Sequence, residues 1–469
     1  MTRFFDFSHS PYHNKHKGVR TLVTYLNKQY PHFSENKFSE KKISKIFPKI
    51  KNTELALLLT YTKRVLYDFL VTEEVNKDIS VKSIALLRQL RSHTNYELYE
   101  KELFKVQKQL PAVNTANIDL LKTHYLLANE ADNYYKIISK RKEDTSLQKK
   151  ERFLDYFFMA EKLKDAIEMH LRRQILRVEF SQRMLFSVLK EIEENWEEYL
   201  KVPLITTYYQ LYQLVTDKNE AHYFDTISSL KKNHLQLPKI ELTYIYNILQ
   251  NYCISQINAN NKTFLGELLK LYQSELELDL LLDKGILIEW HYKNIVTTAI
   301  RSGEILWAET FIEQYKHKLD PAAYENAYRF NLAALFHAKG EYDKVLELLL
   351  QVEYNDLRYN LGAKALLLRT YYELGETNSL ISLTTAFKQF LKRNKLMSLS
   401  RKNAYFNLFS FTEKLAVLRD EIPFKKREQI QVKFKRIRDN LKEVGTVFNQ
   451  AWLESKMDKL SQDLKIQAL

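Results

Sequence analysis

Three glycines divide the middle of this chain into segments of nearly equal length, and this spacing constrains the fold more than any other feature. Gly303, Gly340 and Gly375 are 37 and 35 residues apart, and each follows one apolar run and precedes another. A repeat of about 35 residues is typical of paired helices that stack on their neighbours. Each glycine marks the turn within a pair, because the residue that ends a helix often needs a positive φ angle, which glycine adopts at little cost.

The segment around Gly340 is the clearest copy of this pattern, with apolar residues at helical spacing on both sides of the glycine. It resembles the tetratricopeptide repeat at Leu332, Ala333, Phe336, Gly340 and Tyr342, whereas Val345 stands where that family has a small residue. The copies around Gly303 and Gly375 keep fewer of these positions. The resemblance implies an α-solenoid of stacked antiparallel helix pairs, and an antiparallel helical bundle without repeats is the alternative.

Glycine and proline are too rare for a β-sheet protein or for the glycine-rich loops of nucleotide-binding folds. The 469 residues include 8 Gly and 8 Pro, while 45% are hydrophobic and 13% aromatic. Sheets need frequent turns, and a disordered chain lacks this much apolar surface. We therefore predict an all-α fold in which most aromatic side chains pack between helices.

Changes in charge and in the quality of the repeat predict four segments. Residues 1–110 form a basic N-terminal helical region, 111–285 degenerate helical repeats, 286–390 the tetratricopeptide-like repeats and 391–469 a basic C-terminal helical cap. Pro203 and Pro238 lie 35 residues apart, and proline is favoured in the first turn of a helix. An apolar stripe follows each proline: Leu204, Tyr208, Leu211, Tyr212 and Val215 after the first, and Ile240, Tyr244, Ile248, Leu249 and Tyr252 after the second.

The N-terminal region carries a second resemblance, which rests on Ser10-Pro11-Tyr12, Asn14-Lys15, Leu22, Tyr25-Leu26, Tyr30-Pro31, Phe33, Ser39-Glu40-Lys41 and Ile46-Phe47-Pro48. This set resembles the opening of an uncharacterised group of bacterial helical-repeat proteins, which implies a helical fold and no particular activity. Residues 39–70 are also similar to the helical part of the winged-helix region in bacterial transcriptional activators. That likeness makes Ser39 a cap of helix 40–47, and Asn52 or Thr53 a cap of helix 54–71.

The first turns of helix 54–71 argue against DNA reading. A recognition helix contacts bases mainly through its N-terminal residues. Residues 54–59 provide one acid and five apolar side chains there, and Lys63 and Arg64 come late. We therefore expect this helix to pack against the protein.

Positive charge is concentrated near both ends of the chain. Residues 1–60 hold 11 Lys and Arg against 4 Asp and Glu, and residues 388–442 hold 16 against 5, within a net charge of +14. After Pro423, an apolar seam with alternating steps of four and three residues runs through Ile430, Phe434, Ile437, Leu441, Val444 and Phe448. The rest of this surface is basic: Lys425, Lys426, Arg427, Lys433, Lys435, Arg436, Arg438 and Lys442. The seam predicts a helix that caps the last repeat, and the basic face alternatively suits anionic lipid or nucleic acid.

No motif for catalysis, for a cofactor or for a metal is present. His9, His13 and His16 cluster, but no Cys or fourth His lies near them, and zinc sites use three or four ligands. Neither a nucleophile motif nor a phosphate-binding Gly-x-Gly loop occurs. We expect no enzymatic activity, no cofactor and no metal. The single cysteine Cys253, together with the lack of a signal sequence and of an 18-residue apolar run, predicts a cytoplasmic protein without a transmembrane segment.

These features favour a non-enzymatic scaffold that binds a peptide or protein segment in the concave groove of a solenoid. The tetratricopeptide resemblance implies that the first helix of each pair lines this groove. Counting back from the three glycines gives ten candidate residues: Trp290, Lys293, Thr297, Arg301, Phe330, Asn331, Ala334, His337, Arg369 and Tyr372. Their aromatic and cationic character suits a peptide with acidic and apolar residues. The alternative is nucleic-acid binding or regulation through the basic ends, and the identity of the partner and the oligomeric state stay open.

Overall fold

The computed structural model is built almost entirely of α-helices. It describes residues 1–34, 37–38, 40–48, 50–115, 117–138, 145–176, 178–217, 219–349, 357–395 and 397–463. Within these residues the strands are one hairpin, β1 Leu282–Asp283 and β2 Ile286–Leu287. The prediction of an all-α fold is confirmed. The chain divides into two compact units, Met1–Pro238 and Lys239–Leu469, and the four predicted segments are a finer division that stays a prediction.

The helices of the first unit follow one another in chain order as α1 Thr2–His9, α2 Lys17–Gln29, α3 Glu40–Ile46, α4 Asn52–Lys77, α5 Ile79–Ser92, α6 Tyr96–Gln109, α7 Ile118–Ile138, α8 Ser146–Leu176, α9 Leu185–Glu194, α10 Trp196–Tyr199, α11 Pro203–Asp217 and α12 Glu220–Asn233. Pro203 begins α11, as predicted from the tolerance of a helix start for a residue without an N–H. Tyr208 and Leu211 from the predicted stripe are completely buried. Ile205, Tyr209 and Leu214 outside the stripe are buried as well, so α11 packs on more faces than the apolar periodicity predicted.

Helix α4 starts earlier and ends later than the predicted helix 54–71. The backbone N–H of Lys51 donates to Oε2 of Glu54 at 3.1 Å, which places the start of the helix directly after Lys51. Asn52 and Thr53 therefore belong to the first turn and do not cap it. The other predicted cap, Ser39, lies outside the described residues.

We expected α4 to pack against the protein, and one face of the helix does so. Leu58 and Val65 are buried in a core with residues of α1 and α2. Leu57 and Leu59, on either side of Leu58, are 51% and 52% exposed. In the described part of residues 1–78 no strand forms a wing.

Stacked tyrosines and a buried ion pair hold α5, α6 and α7 together. Tyr99 of α6 and Tyr134 of α7 stack with their ring centroids 4.1 Å apart. Glu130 of α7 is 1% exposed, and its Oε1 accepts a hydrogen bond from Nε of Arg91 at 2.6 Å. The buried carboxylate is thus paired, as a charge in this environment must be.

The second unit contains α13 Lys239–Asn258, α14 Phe264–Glu277, α15 Glu289–Ser302, α16 Ile305–Tyr315, α17 Tyr324–Lys339, α18 Tyr342–Leu349, α19 Leu357–Leu374, α20 Thr377–Arg393, α21 Leu399–Glu421, α22 Arg427–Glu443 and α23 Gln450–Asp463. Helices α15 to α22 each pack on the next one along the chain, and α15, α17, α19 and α21 also pack on one another in that order.

Two predicted apolar faces of the second unit need correction. Pro238 directly precedes α13 as expected, but Ile240 is 70% exposed, and the first buried apolar residue of the helix is Leu242. The seam in α22 is correct for Ile430 and Phe434, which are each 1% exposed. It ends with the helix at residue 443, because the backbone of residue 444 is extended.

Candidate functional site

The three helices that carry the predicted groove residues end in the same way. Gly303, Gly340 and Gly375 follow α15, α17 and α19 with φ angles of 87°, 79° and 79°, so the predicted left-handed turns are confirmed. In each case the N–H of the next residue, a glutamate, donates to the carbonyl five residues before it, at 2.9, 2.9 and 3.0 Å. Residues counted back from the glycines therefore occupy equivalent positions relative to the three helix ends.

Lys293 lies among three aromatic rings that come from α15, α17 and α19. Its Nζ is 5.4 Å from the ring centroid of Trp290, 4.9 Å from that of Phe330 and 5.7 Å from that of Tyr359. Trp290 also stacks on Tyr359 with ring centroids 5.3 Å apart. Aromatic faces attract a cation. The structure thus brings three predicted residues, Trp290, Lys293 and Phe330, together in one aromatic cluster.

Gly362 allows α17 and α19 to approach each other at this aromatic cluster. A Cβ atom at this position would lie 3.0 Å from Cζ of Phe330 and 3.5 Å from Nζ of Lys293. A separation of 3.0 Å between two carbon atoms is shorter than their optimal contact distance of about 3.5 to 4.0 Å. A larger residue at 362 would therefore displace the Phe330 ring from Lys293.

A second group of predicted residues lies against α23. Trp452 of α23 packs edge-on against Tyr372 with ring centroids 5.6 Å apart. The guanidinium carbon of Arg369 lies 6.0 Å from the centroid of the Trp452 ring. Tyr372 is 5% exposed. These two predicted groove residues of α19 are therefore in contact with the last described helix of the chain.

Glu373 connects α19 to α23 through polar contacts. Its Oε1 accepts a hydrogen bond from Nε1 of Trp452 at 3.2 Å and pairs with Nζ of Lys456 at 2.7 Å. The side chain of Glu373 is 14% exposed, so water screens this pair less than it screens a surface salt bridge. Glu373, Trp452 and Lys456 form a polar link between the two helices.

Burial and positive charge shift the titration of the basic groups near this link. Burial lowers the pKa of His337 to about 3, and the charges of Arg369 and Lys456 act in the same direction. Burial also lowers the pKa of Arg369 to about 10, against the opposing effect of Glu373. Nε2 of His337 and Nε of Arg369 are both buried and have no hydrogen-bond partner among the described residues. Buried polar atoms without partners are costly, so the contact between α23 and Arg369 leaves a polar group unsatisfied.

The remaining predicted residues differ in how far solvent reaches them. Thr297 and Arg301 are exposed on α15, and Ala334 of α17 is half-buried. Asn331 is completely buried, and its Nδ2 donates to the carbonyl of Ala327 at 2.7 Å. A ligand can therefore reach Thr297 and Arg301 directly, whereas Asn331 stabilises its own helix.

Sequence reasoning missed Tyr359, Glu373, Trp452 and Lys456. Tyr359 lies 16 residues before Gly375, whereas α15 begins 14 residues before its own glycine, so counting equal distances back stops short of Tyr359. Trp452 lies 79 residues beyond its partner Glu373. No periodic pattern connects positions so far apart, and nothing in the local sequence marks α23 as a neighbour of α19.

The basic surface of α22 and the residues before it is mostly exposed. Seven of its eight residues are exposed, and Arg438 is half-buried. Glu421 neutralises part of this charge, because it pairs with Lys425 at 2.6 Å and with Lys433 at 2.5 Å. The hydrogen bonds from Lys425 and Lys433 lower the pKa of Glu421. Two of the eight cations are thus already engaged within the protein.

The N-terminal histidines make separate contacts. Nε2 of His9 lies 3.1 Å from Oγ1 of Thr24, His13 stacks on Phe7 with ring centroids 3.9 Å apart, and His16 caps α2. Among the described residues, no three or more His, Cys, Asp and Glu side chains are grouped so that they could hold a metal ion. No described helix combines the length and the apolar character needed to cross a membrane.

Comparison with known proteins gives no functional assignment for this chain. No model of a known protein family matches the chain, and a search of curated proteins returned no match. The chemistry of the aromatic cluster and of the surface under α23 is therefore the basis for inferring a function.

Proposed function

We propose that the second unit is a non-enzymatic scaffold that binds a peptide or a segment of a partner protein along α15, α17 and α19. The observation that carries this proposal is the convergence of Lys293 with Trp290, Phe330 and Tyr359 from three different helices. The repeated glycine ends and the order in which these helices contact one another support a tetratricopeptide-like α-solenoid of stacked helix pairs.

The exposed residues of α15 indicate the chemistry of the ligand. Arg301 and Thr297 are accessible, and they share a helix face with Trp290 and Lys293, since the four positions are spaced three and four residues apart. An aromatic ring offers apolar contact area, and an arginine pairs well with a carboxylate. The ligand that fits this surface is a segment with acidic and apolar residues.

Nucleic-acid binding through the basic ends is the alternative function. The exposed cations of α22 suit a phosphate backbone. Glu421 nevertheless engages two of them, and the first turn of α4 presents Glu54 and apolar side chains rather than cations. These features make peptide binding the better-supported function.

The two functions predict opposite results for two matched double variants. We expect Thr297→Glu combined with Arg301→Glu to abolish capture of the main protein partner from a cell extract, because the introduced carboxylates repel an acidic segment. These positions are preferable to Lys293 and Arg369, whose side chains pack against aromatic rings, so that their reversal would disturb the fold.

The control is Lys435→Glu combined with Arg436→Glu, two exposed residues of the basic surface. We expect this variant to retain the partner, and nuclease treatment of the extract to leave capture unchanged. Retention of every partner by the α15 variant, together with nuclease-sensitive loss by the α22 variant, would transfer the function to the basic surface.

A further inference from the structure

We infer that α23 is an internal ligand of the proposed binding surface, and that a partner helix with the same pattern of side chains displaces it. This inference rests on the proposed function, because it assigns an occupant to the α19 end of the proposed binding surface. The binding partner it defines presents to α19 an amphipathic helix with an aromatic residue and a lysine on its apolar edge, in addition to the acidic and apolar residues that suit α15.

The contacts of α23 are those of a helix bound to a surface. One face of the helix, at Leu453, Met457 and Leu460, is buried in the same apolar cluster as residues of α19 and α21. Trp452 and Lys456, on the edge of that face, meet Tyr372 and Glu373. A helix that places its apolar stripe in a groove, with polar contacts at the edge, is a common mode of peptide recognition.

The surface under α23 is the one that the repeat pattern assigns to ligands. Arg369 and Tyr372 were predicted as groove residues from their distance to Gly375, and both contact Trp452. The internal helix therefore contacts two of the ten predicted groove residues.

Two features make α23 replaceable. Nε of Arg369, whose guanidinium lies against Trp452, has no hydrogen-bond partner among the described residues, so the fit of α23 leaves a polar group that another helix can satisfy. The helix is joined to α22 by residues 444–449, in which Asn449 has a φ angle of 52° directly before the first turn. A change of backbone conformation at one junction residue can swing a helix away without altering the helices that it leaves.

The contacts of α23 define the sequence pattern of the partner. The pattern consists of an aromatic residue, an apolar residue, a basic residue and two further apolar residues, at Trp452, Leu453, Lys456, Met457 and Leu460. Glu373 accepts contacts from two donors, an indole N–H and an ammonium group, which lie one helical turn apart on α23. A partner helix that repeats this spacing satisfies Glu373 and covers the same apolar surface.

A labelled peptide with the sequence of residues 450–463 tests this inference on the full chain. The variant Leu453→Ala with Met457→Ala weakens the internal helix, because both side chains are buried; Lys459→Ala, which alters an exposed residue of α23, is the control. We expect the double variant to bind the peptide at least about tenfold more tightly than the wild type or the control, since a tethered helix competes at a high effective concentration. A peptide with Trp452→Ala should bind the double variant at least about tenfold more weakly than the parent peptide.

Each other outcome overturns the inference. A folded double variant that binds no peptide would show that α23 is a fixed part of the fold. Loss of the cooperative unfolding transition in the double variant would show the same, because a displaceable ligand can leave without unfolding its receptor. The Thr297→Glu and Arg301→Glu test uses residues outside the contacts of α23, so the proposed function can stand when this inference fails.

Discussion

At the scale of single residues, Gly340 is required for its backbone conformation and not for close packing. Its φ angle is 79°, and a Cβ atom added to it would meet no atom of the described residues within 4 Å. The cost of a side chain there is therefore conformational, about 1 to 2 kcal/mol for a residue in the left-handed region. The repeat pattern detected this requirement because it is local, involving one residue and the two helices that it joins.

We expect Gly340→Ala to lower the free energy of unfolding by about 1 kcal/mol, measured by urea denaturation. Gly266 of α14 is the matched control, since its added Cβ also meets nothing within 4 Å and no positive φ is involved. Gly266→Ala should leave the stability unchanged or raise it by up to about 1 kcal/mol, because alanine is the better helix former. Equal destabilisation by both substitutions would contradict the conformational explanation.

A buried acid in the same unit gives a prediction about pH. Glu275 of α14 is 2% exposed, and burial raises its pKa to about 8 although Nε2 of Gln250 donates a hydrogen bond to its carboxylate. A glutamate in the unfolded chain titrates near 4.3. The unfolded state therefore releases this proton at lower pH than the folded state does, so the stabilising contribution is complete below about pH 4 and is lost as the pH rises to about 8.

We expect Glu275→Gln to remove this pH dependence, because the amide has nearly the same shape and no proton to lose. Urea denaturation between pH 5 and pH 8 should show that the wild type loses more stability than the variant over this range. Glu277→Gln, at an exposed position on the same helix, should leave the wild-type slope in place. A wild-type slope in Glu275→Gln would show that the proton is bound elsewhere.

At the scale of elements, α22 has an apolar face that packs into the core and a basic face that is exposed. Phe434 is 1% exposed within the apolar cluster of the second unit, whereas its neighbour Lys435 is exposed. The sequence predicted this division correctly because a helix repeats every 3.6 residues and its two faces differ in composition. The same rule failed beyond residue 443, since periodicity alone does not show where a helix ends.

We expect Phe434→Ala to destabilise the second unit by about 3 to 5 kcal/mol, because it removes a large buried side chain and leaves a cavity. Lys435→Ala should change stability by less than about 0.5 kcal/mol. Denaturation of the full chain, followed by circular dichroism, measures both. A small effect of Phe434→Ala would mean that α22 contributes little to the core and does not act as the predicted cap.

At the same scale, the candidate site shows where sequence reasoning stops. The helix ends at the three glycines were predictable, and so was the meeting of Lys293 with Trp290, one turn before it on α15. The contact of Tyr359 with this cluster was not predictable, because it depends on the length of α19. The packing of α23 on α19 was not predictable either, because it depends on a contact between residues 79 positions apart. Local periodicity determines which face of a helix is apolar, whereas the choice of partner for that face depends on the whole fold.

At the scale of the whole molecule, the division after Pro238 predicts that the second unit folds independently. One of its apolar clusters is formed within residues 361–460, and the helices bearing the three glycines lie inside the same unit. We expect a fragment of residues 239–469 to give a helical circular dichroism spectrum and a cooperative urea transition. It should also lose its partner through the Thr297→Glu and Arg301→Glu substitutions, as the full chain does.

A fragment that begins at Ile305 is the control for this prediction. It lacks α15 and therefore the hydrogen bond from the buried Tyr292 hydroxyl to the carbonyl of Ile312, which is 2.9 Å long. Loss of a stacked neighbour exposes an apolar helix face, so this fragment should unfold at a lower urea concentration than residues 239–469. If both fragments unfold at the same concentration, α15 is not coupled to α16 and α17. If residues 239–469 do not fold at all, the second unit depends on the first for its stability.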